Sequence, residues 1–188
     1  KWILGEAPGL RNFYIAAGFN SIGIQTAGGA GKAMAEWMEA GAPTMDLTGN
    51  DIRRCQPYQS NTTYLMARAG EALGLHYADQ FPYRQPESAR GVRHLPLHER
   101  HVAAGACFGD AAGWERPLWY LPAQAHARGE KPEPHYSWFR QNFFAHVAVE
   151  HQAVRTGVAM FDLSAFGKIR VEGRDAEAVL QRICANDI

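Results

Sequence analysis

The chain has 188 residues, 46% of them hydrophobic, and its 19 lysines and arginines balance 19 aspartates and glutamates to a formal net charge of zero. That balance argues against a nucleic-acid backbone or an anionic membrane as partner. No apolar run approaches the roughly 20 residues that a spanning helix requires, and no basic-then-apolar leader precedes the first elements.

The three cysteines, Cys55, Cys107 and Cys184, form no CxxC pair, which leaves zinc and dithiol chemistry without support and suits a reducing compartment. The first residues carry neither Met nor targeting character, so the expectation is an internal stretch of a longer protein. Its location would be cytoplasmic or the mitochondrial matrix.

In chain order, residues 12–18 form a short apolar run ending in Gly18 and read as a buried strand. Glycines at 18, 23, 28 and 29 follow, a texture suited to close backbone approach. From Ala30, Met34, Trp37 and Met38 recur at helical spacing, and Gly41 with Pro43 ends the helix. The unit is therefore strand, glycine-rich turn, helix. A second helix is expected over 61–73, closed by Gly74, and the proline- and arginine-bearing run 81–96 reads as an extended arm.

A helix is expected over 98–106, an aromatic-rich loop over 108–122 and a polar surface excursion over 123–134. Residues 138–154 have helical character. Residues 158–161 and 168–171 read as strands around a turn, and 175–183 as a last helix.

Several residues invite a chemical reading. The amides of a helix N-terminus carry a positive dipole end, so the glycine-rich turn into the helix from Ala30 is the foremost candidate. Arg53 and Arg54 are neighbours, which seldom point together, so at most one could reach a ligand and an ion pair with Asp46 or Asp51 is preferred. The run Trp114-Glu115-Arg116-Pro117 reads as architecture, with a cation–π contact open to Arg116. Asp162 and Ser164 read as a turn cap. His94, His98 and His101 supply at most two ligands at helical spacing, and His146, Glu150 and His151 do not make an HExxH motif, so no metal site is expected. Cys107 and Ser164 have no base that spacing places beside them.

The run from Ala17 through Gln25 (AGFNSIGIQ), then Gly28 to Trp37 (GGAGKAMAEW), resembles the end of the flavin-binding domain of dimethylglycine and sarcosine dehydrogenases. Phe108-Gly109 and Gly113 to Tyr120 (GWERPLWY) resemble that family's linking motif. Glu150, Arg155 and Val158 to Lys168 (VAMFDLSAFGK) resemble the opening of its folate-binding domain, related to the aminomethyltransferase of glycine cleavage, and Val171 to Ala176 with Ala185-Asn186-Asp187 continue the match.

The resemblance implies an α+β chain: the C-terminal tail of an FAD-binding oxidoreductase domain over 1–43, a small inter-domain module over 44–99, and the beginning of a glycine-cleavage T-protein-like domain over 100–188. It implies FAD as cofactor, with Ser21, Ile22, Gly23, Gly28, Gly29, Ala30 and Gly31 beside it, and tetrahydrofolate as one-carbon acceptor.

The implied reaction is oxidative demethylation of sarcosine, dimethylglycine or a related small N-methylated amino acid. Electrons would pass to an electron-transfer flavoprotein or to oxygen. The family's pyrophosphate-cradling GxGxxG is absent from this stretch, and its catalytic folate-domain aspartate is expected beyond it, so no catalytic residue is assigned. Isolated, the stretch is expected to be inactive and to associate with flanking segments or with itself. Two other readings are a non-catalytic regulatory relative, of the kind found with pyruvate dehydrogenase phosphatase, and a folate-dependent one-carbon transferase with a decayed flavin site.

Overall fold

The computed structural model describes residues 2–79 and 81–188. Helices and mostly antiparallel strands occupy separate stretches of the chain, which makes the class α+β. Two compact units divide the backbone at Arg90/Gly91, with Tyr136–Phe139 belonging to the first unit. Among the described residues no helix is long and apolar enough to cross a membrane.

The first unit opens on a hairpin of β1 (Ile3–Glu6) and β2 (Tyr14–Ala17), paired antiparallel from Ile3 opposite Ala17 to Glu6 opposite Tyr14. The sequence places β2 within the expected run but gives no comparable signal for β1, whose register depends on β2 and on Leu4 N–H donating to Asn50 O at 2.8 Å. Helix α1 (Gly23–Ala40) packs on this hairpin. Ala30, Ala33, Met34 and Trp37 recur at i, i+3, i+4 and i+7, so one stripe of the helix is buried. Leu4 completes that core, with Trp2, Tyr14, Phe19 and Leu47 around it.

Gly41 closes α1 in the left-handed conformation, φ 74°, its N–H bonded to Trp37 O at 2.8 Å. The start differs from the sequence reading. The helix begins seven residues before Ala30, so Gly28, Gly29 and Gly31 lie within it and not in a turn. Each interior glycine costs about 1 kcal/mol relative to Ala, a penalty that burial of Met34 and Trp37 offsets.

After 3-10 turns at Ile52–Arg54 and Pro57–Ser60, α2 spans Thr62–Tyr77. Asn61 caps it, its Oδ1 accepting from Thr63 N–H at 2.9 Å and Tyr64 N–H at 3.2 Å. Gly74 does not end it, again because isolated glycine is a penalty and not a stop. The arm that follows is pinned to α2. The Glu71 carboxylate accepts from the Glu87 and Ser88 amides and the Ser88 hydroxyl, and Arg68 donates to Ser88 O.

The second unit carries a three-stranded sheet in the order β3 (Arg93–His94), β5 (Trp114–Tyr120), β4 (Ala106–Ala111). The stretch read as an aromatic loop is thus a β-hairpin. Its tip, Ala112-Gly113, has φ of 53° and 82°, the paired left-handed conformations of a tight hairpin turn. Pro117 conceals the strand from sequence inspection because proline cannot donate to a ladder, and a register shift at Cys107/Phe108 accommodates it.

Cys107, Trp119, Leu121 and Ala125 form the core, with Phe143 packed against it. Trp119 stacks on Phe143 and His146 at 5.9 and 5.4 Å. Short α3 (His98–Ala103) and α4 (Ala123–Ala127) flank the hairpin, the latter within the expected surface excursion, and α5 (Phe144–Thr156) and α6 (Ala176–Ile183) follow. Residues 157–175 form no helix or strand, so the two strands expected there are absent. Val158, Met160 and Ile169 are exposed, so the apolar residues that suggested strands bury no face there.

Candidate functional site

The first unit presents the start of α1 at the end of an unusual backbone path. Gly18, Asn20 and Ser21 take φ of 75°, 42° and 65°. Two non-glycine residues side by side in the left-handed region carry a conformational cost of order 1–3 kcal/mol each, a feature concentrated at binding and catalytic sites. Ile22 is the N-cap and makes no side-chain cap hydrogen bond, and among the described residues no side chain bonds the amides of the first turn.

The Thr26 hydroxyl turns back to Ile22 O at 2.7 Å and leaves those amides alone. A cleft of about 370 Å³ lined by Trp2, Asn20, Gly49, Asn50 and His76 lies beside this loop. Of the residues assigned to the cofactor from sequence, Ser21, Ile22 and Gly23 therefore stand at the positive end of the helix dipole. Gly28, Gly29 and Gly31 are one to two turns further along, exposed, and a Cβ added at any of them would meet nothing within 4 Å. Ala30 is 7% exposed and belongs to the core. Their amides lie inside the helix, so the mid-helix residues offer a bare surface and not free donors.

The arginine pair behaves as its spacing requires. Arg53 makes a two-pronged ion pair with Asp51 and lies over the Trp37 ring at 5.5 Å, while Arg54 turns the other way and donates to Trp2 O at 2.8 Å. Bonding to Arg53 holds the Asp51 carboxyl below the usual range. Both arginines serve the fold.

In the second unit the linking motif is architectural, as its residues suggest. Glu115, 6% exposed, accepts from Gly91 N–H at 2.7 Å, Arg93 lies over Trp114, and Arg116 over Phe166 at 4.8 Å. Among the described residues, His94, His98 and Glu99 form a cluster with ligand atoms near enough to suggest a metal. The two imidazoles, however, stack at 3.8 Å and 10°. A metal must lie in the plane of each ligand ring, and two parallel planes share no such point, so the cluster as folded does not fit an ion. Burial, reinforced by His94, pushes the His98 imidazole below its ordinary range.

A network that spacing could not reveal lies one turn further on. His101 Nε2 is 2.9 Å from Asp162 Oδ2, across 61 residues of sequence, and His101 Nδ1 is 2.8 Å from the Tyr120 hydroxyl. The Asp162 Oδ1 accepts from both the amide, at 2.9 Å, and the hydroxyl of Ser164, which is the turn cap expected from sequence. The Ser164 hydroxyl, then His101, hold the Asp162 carboxyl down to about 2. Burial first, then Glu150 and Asp162, push the Tyr120 phenol up.

Because the Ser164 hydroxyl proton goes to Asp162 and not to the imidazole, this is no nucleophile triad. The group borders a cleft of about 890 Å³ with Arg100, Met160, Phe161 and Lys168 on its walls.

Comparison with known proteins defines the class of multidomain segment to which these two units belong. Residues 40–94 match the model of the FAD dependent oxidoreductase central domain, and residues 97–188 that of the GCVT N-terminal domain. The chain is 46% identical over 188 residues to 4-methylaminobutanoate oxidase (formaldehyde-forming) of Paenarthrobacter nicotinovorans, covering 100% of this chain and 22% of that protein.

It is 32% identical over 208 residues to mitochondrial sarcosine dehydrogenase of Mus musculus, covering 100% of this chain and 23% of the relative. It is also 32% identical over 190 residues to the mitochondrial pyruvate dehydrogenase phosphatase regulatory subunit of the same organism, covering 100% and 21%. The chain spans about a fifth of the length of the curated relatives it matches. It belongs to the sarcosine and dimethylglycine dehydrogenase family of FAD-dependent oxidoreductases with an aminomethyltransferase-like domain.

Proposed function

We propose that this chain forms part of an FAD-dependent enzyme that removes a methyl group oxidatively from a small N-methylated amino acid, 4-methylaminobutanoate, sarcosine or dimethylglycine among the candidates. The observation that carries the reading is the 46% identity, over the whole chain, to an oxidase of an N-methyl amino acid. A bound flavin would supply the acceptor for hydride from the N-methyl carbon.

The chain's own contribution would come from Ser21, Ile22 and Gly23. The uncapped amides of the first α1 turn supply fixed positive dipoles toward negative charge that develops during the reaction, with no reorganisation at that moment. The left-handed Asn20 and Ser21 hold that turn clear of side-chain caps. Gly28, Gly29 and Gly31 keep the outer face of the helix bare, which suits the close approach of a flat ring, while Ala30 anchors the helix from the opposite side. These residues fit an electron-rich ring edge; no acid, base or substrate-carboxylate ligand is assigned among them.

Tetrahydrofolate as acceptor of the one-carbon unit, and an electron-transfer flavoprotein or oxygen as acceptor of the electrons, accompany this reading, as does a cytoplasmic or mitochondrial location. So do the boundaries near 43 and 99. A regulatory role is the second reading, favoured by the 32% identity to a phosphatase regulatory subunit.

The complete protein purified with its flavin separates the two. Bleaching of the flavin band on anaerobic addition of 4-methylaminobutanoate, sarcosine or dimethylglycine is the expected result. A bound flavin that none of the three reduces would overturn the enzymatic reading.

A further inference from the structure

We propose that His101 is a latch that seats the 162–168 loop on the hairpin of the second unit in both of its protonation states. The loop needs such a device, because residues 157–175 form no helix or strand through which a backbone ladder could hold them. Within the loop, Phe166 N–H bonds to Leu163 O at 3.0 Å, and Lys168 Nζ closes the turn by donating to Leu163 O and Phe166 O, both at 2.8 Å. What fastens this closed loop to its neighbours is the His101–Asp162 bond, whose side chains are 13% and 4% exposed, with Arg116 over Phe166 as a second hold.

The two ring nitrogens of His101 meet different chemistry. The Asp162 carboxylate only accepts, so Nε2 carries a proton whether the ring is neutral or cationic. Nδ1 faces a hydroxyl, which both donates and accepts. In the neutral ring Nδ1 accepts the Tyr120 hydroxyl proton; in the cation Nδ1–H donates to the Tyr120 oxygen, and the phenolic O–H is released for another acceptor. Neither bond is lost on protonation.

The other groups that face this site are His98 and Arg100 on α3, Lys168 in the loop, and Glu150 on α5, whose Oε1 accepts from Tyr120 N–H at 2.8 Å.

The substitution Asp162→Asn isolates the idea. Ser164 N–H keeps the amide oxygen, so the new NH₂ must face Nε2. A neutral His101 accepts it by moving its own proton to Nδ1 and donating to Tyr120; a cationic His101 cannot, since two donors then meet.

Hydrogen exchange of the 158–168 peptide in the full chain, corrected for intrinsic rates, reads the outcome. Wild type should be equally protected at about pH 8 and about pH 5.5. D162N should match it at the higher pH and lose at least about tenfold in protection at the lower, the scale of one charge-assisted bond. Imidazole ¹⁵N shifts should report an Nε2–H tautomer for neutral His101 in wild type and Nδ1–H in D162N. The proposal is overturned if D162N is equally protected at both pH values, or if the wild-type loop opens at the lower one. His101→Ala should lower the protection of the peptide at both pH values, and unchanged protection would also overturn it.

Discussion

Gly5 stands where the β1 backbone crosses the indole of Trp37, and replacing it with alanine tests whether that contact sets the core of the first unit. Gly5 has φ of +114°, and an added Cβ would lie 2.5 Å from Trp37 Cη2 and 2.8 Å from Cζ3. Carbon atoms prefer about 3.5–4.0 Å, so one partner must retreat by roughly 1 Å. Trp37 has little room to do so: it is 3% exposed, meets Tyr14 edge-on at 6.5 Å and carries Arg53 on its face.

Backbone strain of about 1–3 kcal/mol and overpacking of about 1–3 kcal/mol together give an expected loss of about 2–6 kcal/mol. Gly9→Ala is the matched control, because Gly9 also has positive φ, +81°, but a Cβ there meets nothing within 4 Å. Both substitutions restrict the unfolded chain equally, so that contribution cancels in the comparison.

Urea unfolding followed by far-ultraviolet circular dichroism should place G5A below G9A by about 1–3 kcal/mol. Trp37→Leu in the G5A background should recover part of the gap in a double-mutant cycle. A difference below about 0.5 kcal/mol, or strict additivity with W37L, would refute the reasoning.

Acidification should weaken the second unit in two stages. His98, held below its ordinary 6.5 by burial and by His94, is protonated first in the unfolded chain, so its stabilising share is whole above about pH 6.5 and drains as pH falls through the folded value. Asp162, at about 2 against 3.8, contributes above about pH 4 and loses its share between there and about pH 2. Melting temperatures across this range should show both steps, and a curve for His98→Gln that keeps the first step would contradict the assignment. Asn61→Ala removes an acceptor shared by two amides and should cost α2 about 1 kcal/mol. Faster exchange confined to its first turn is the expected signature, and unchanged exchange there would refute the cap.

Elements with a strong local signal are legible in the sequence. Met34 and Trp37 on one face of α1, the stop at Gly41 and the final helix near 175–183 follow from spacing and from residues whose conformational preferences act over one turn, whereas Met38, read with that face, is 51% exposed. The same local reasoning misplaced the start of α1 and missed the hairpin of β4 and β5. Glycine and proline impose penalties of a few kcal/mol at most, and the buried faces of Trp37 and Trp119 outweigh them.

The helix dipole consequently falls on Ser21, Ile22 and Gly23 and not on Gly28 to Gly31. His101 carried no readable signal, since its partners lie 19 and 61 residues away. Sequence by itself determined where side chains repeat along one chain direction, and with that most helical stretches, while its motifs carried the resemblance to the family. Only the tertiary structure decided which distant groups meet, because burial and hydrogen bonding between remote residues depend on how the chain packs and not on the order in which its residues are written.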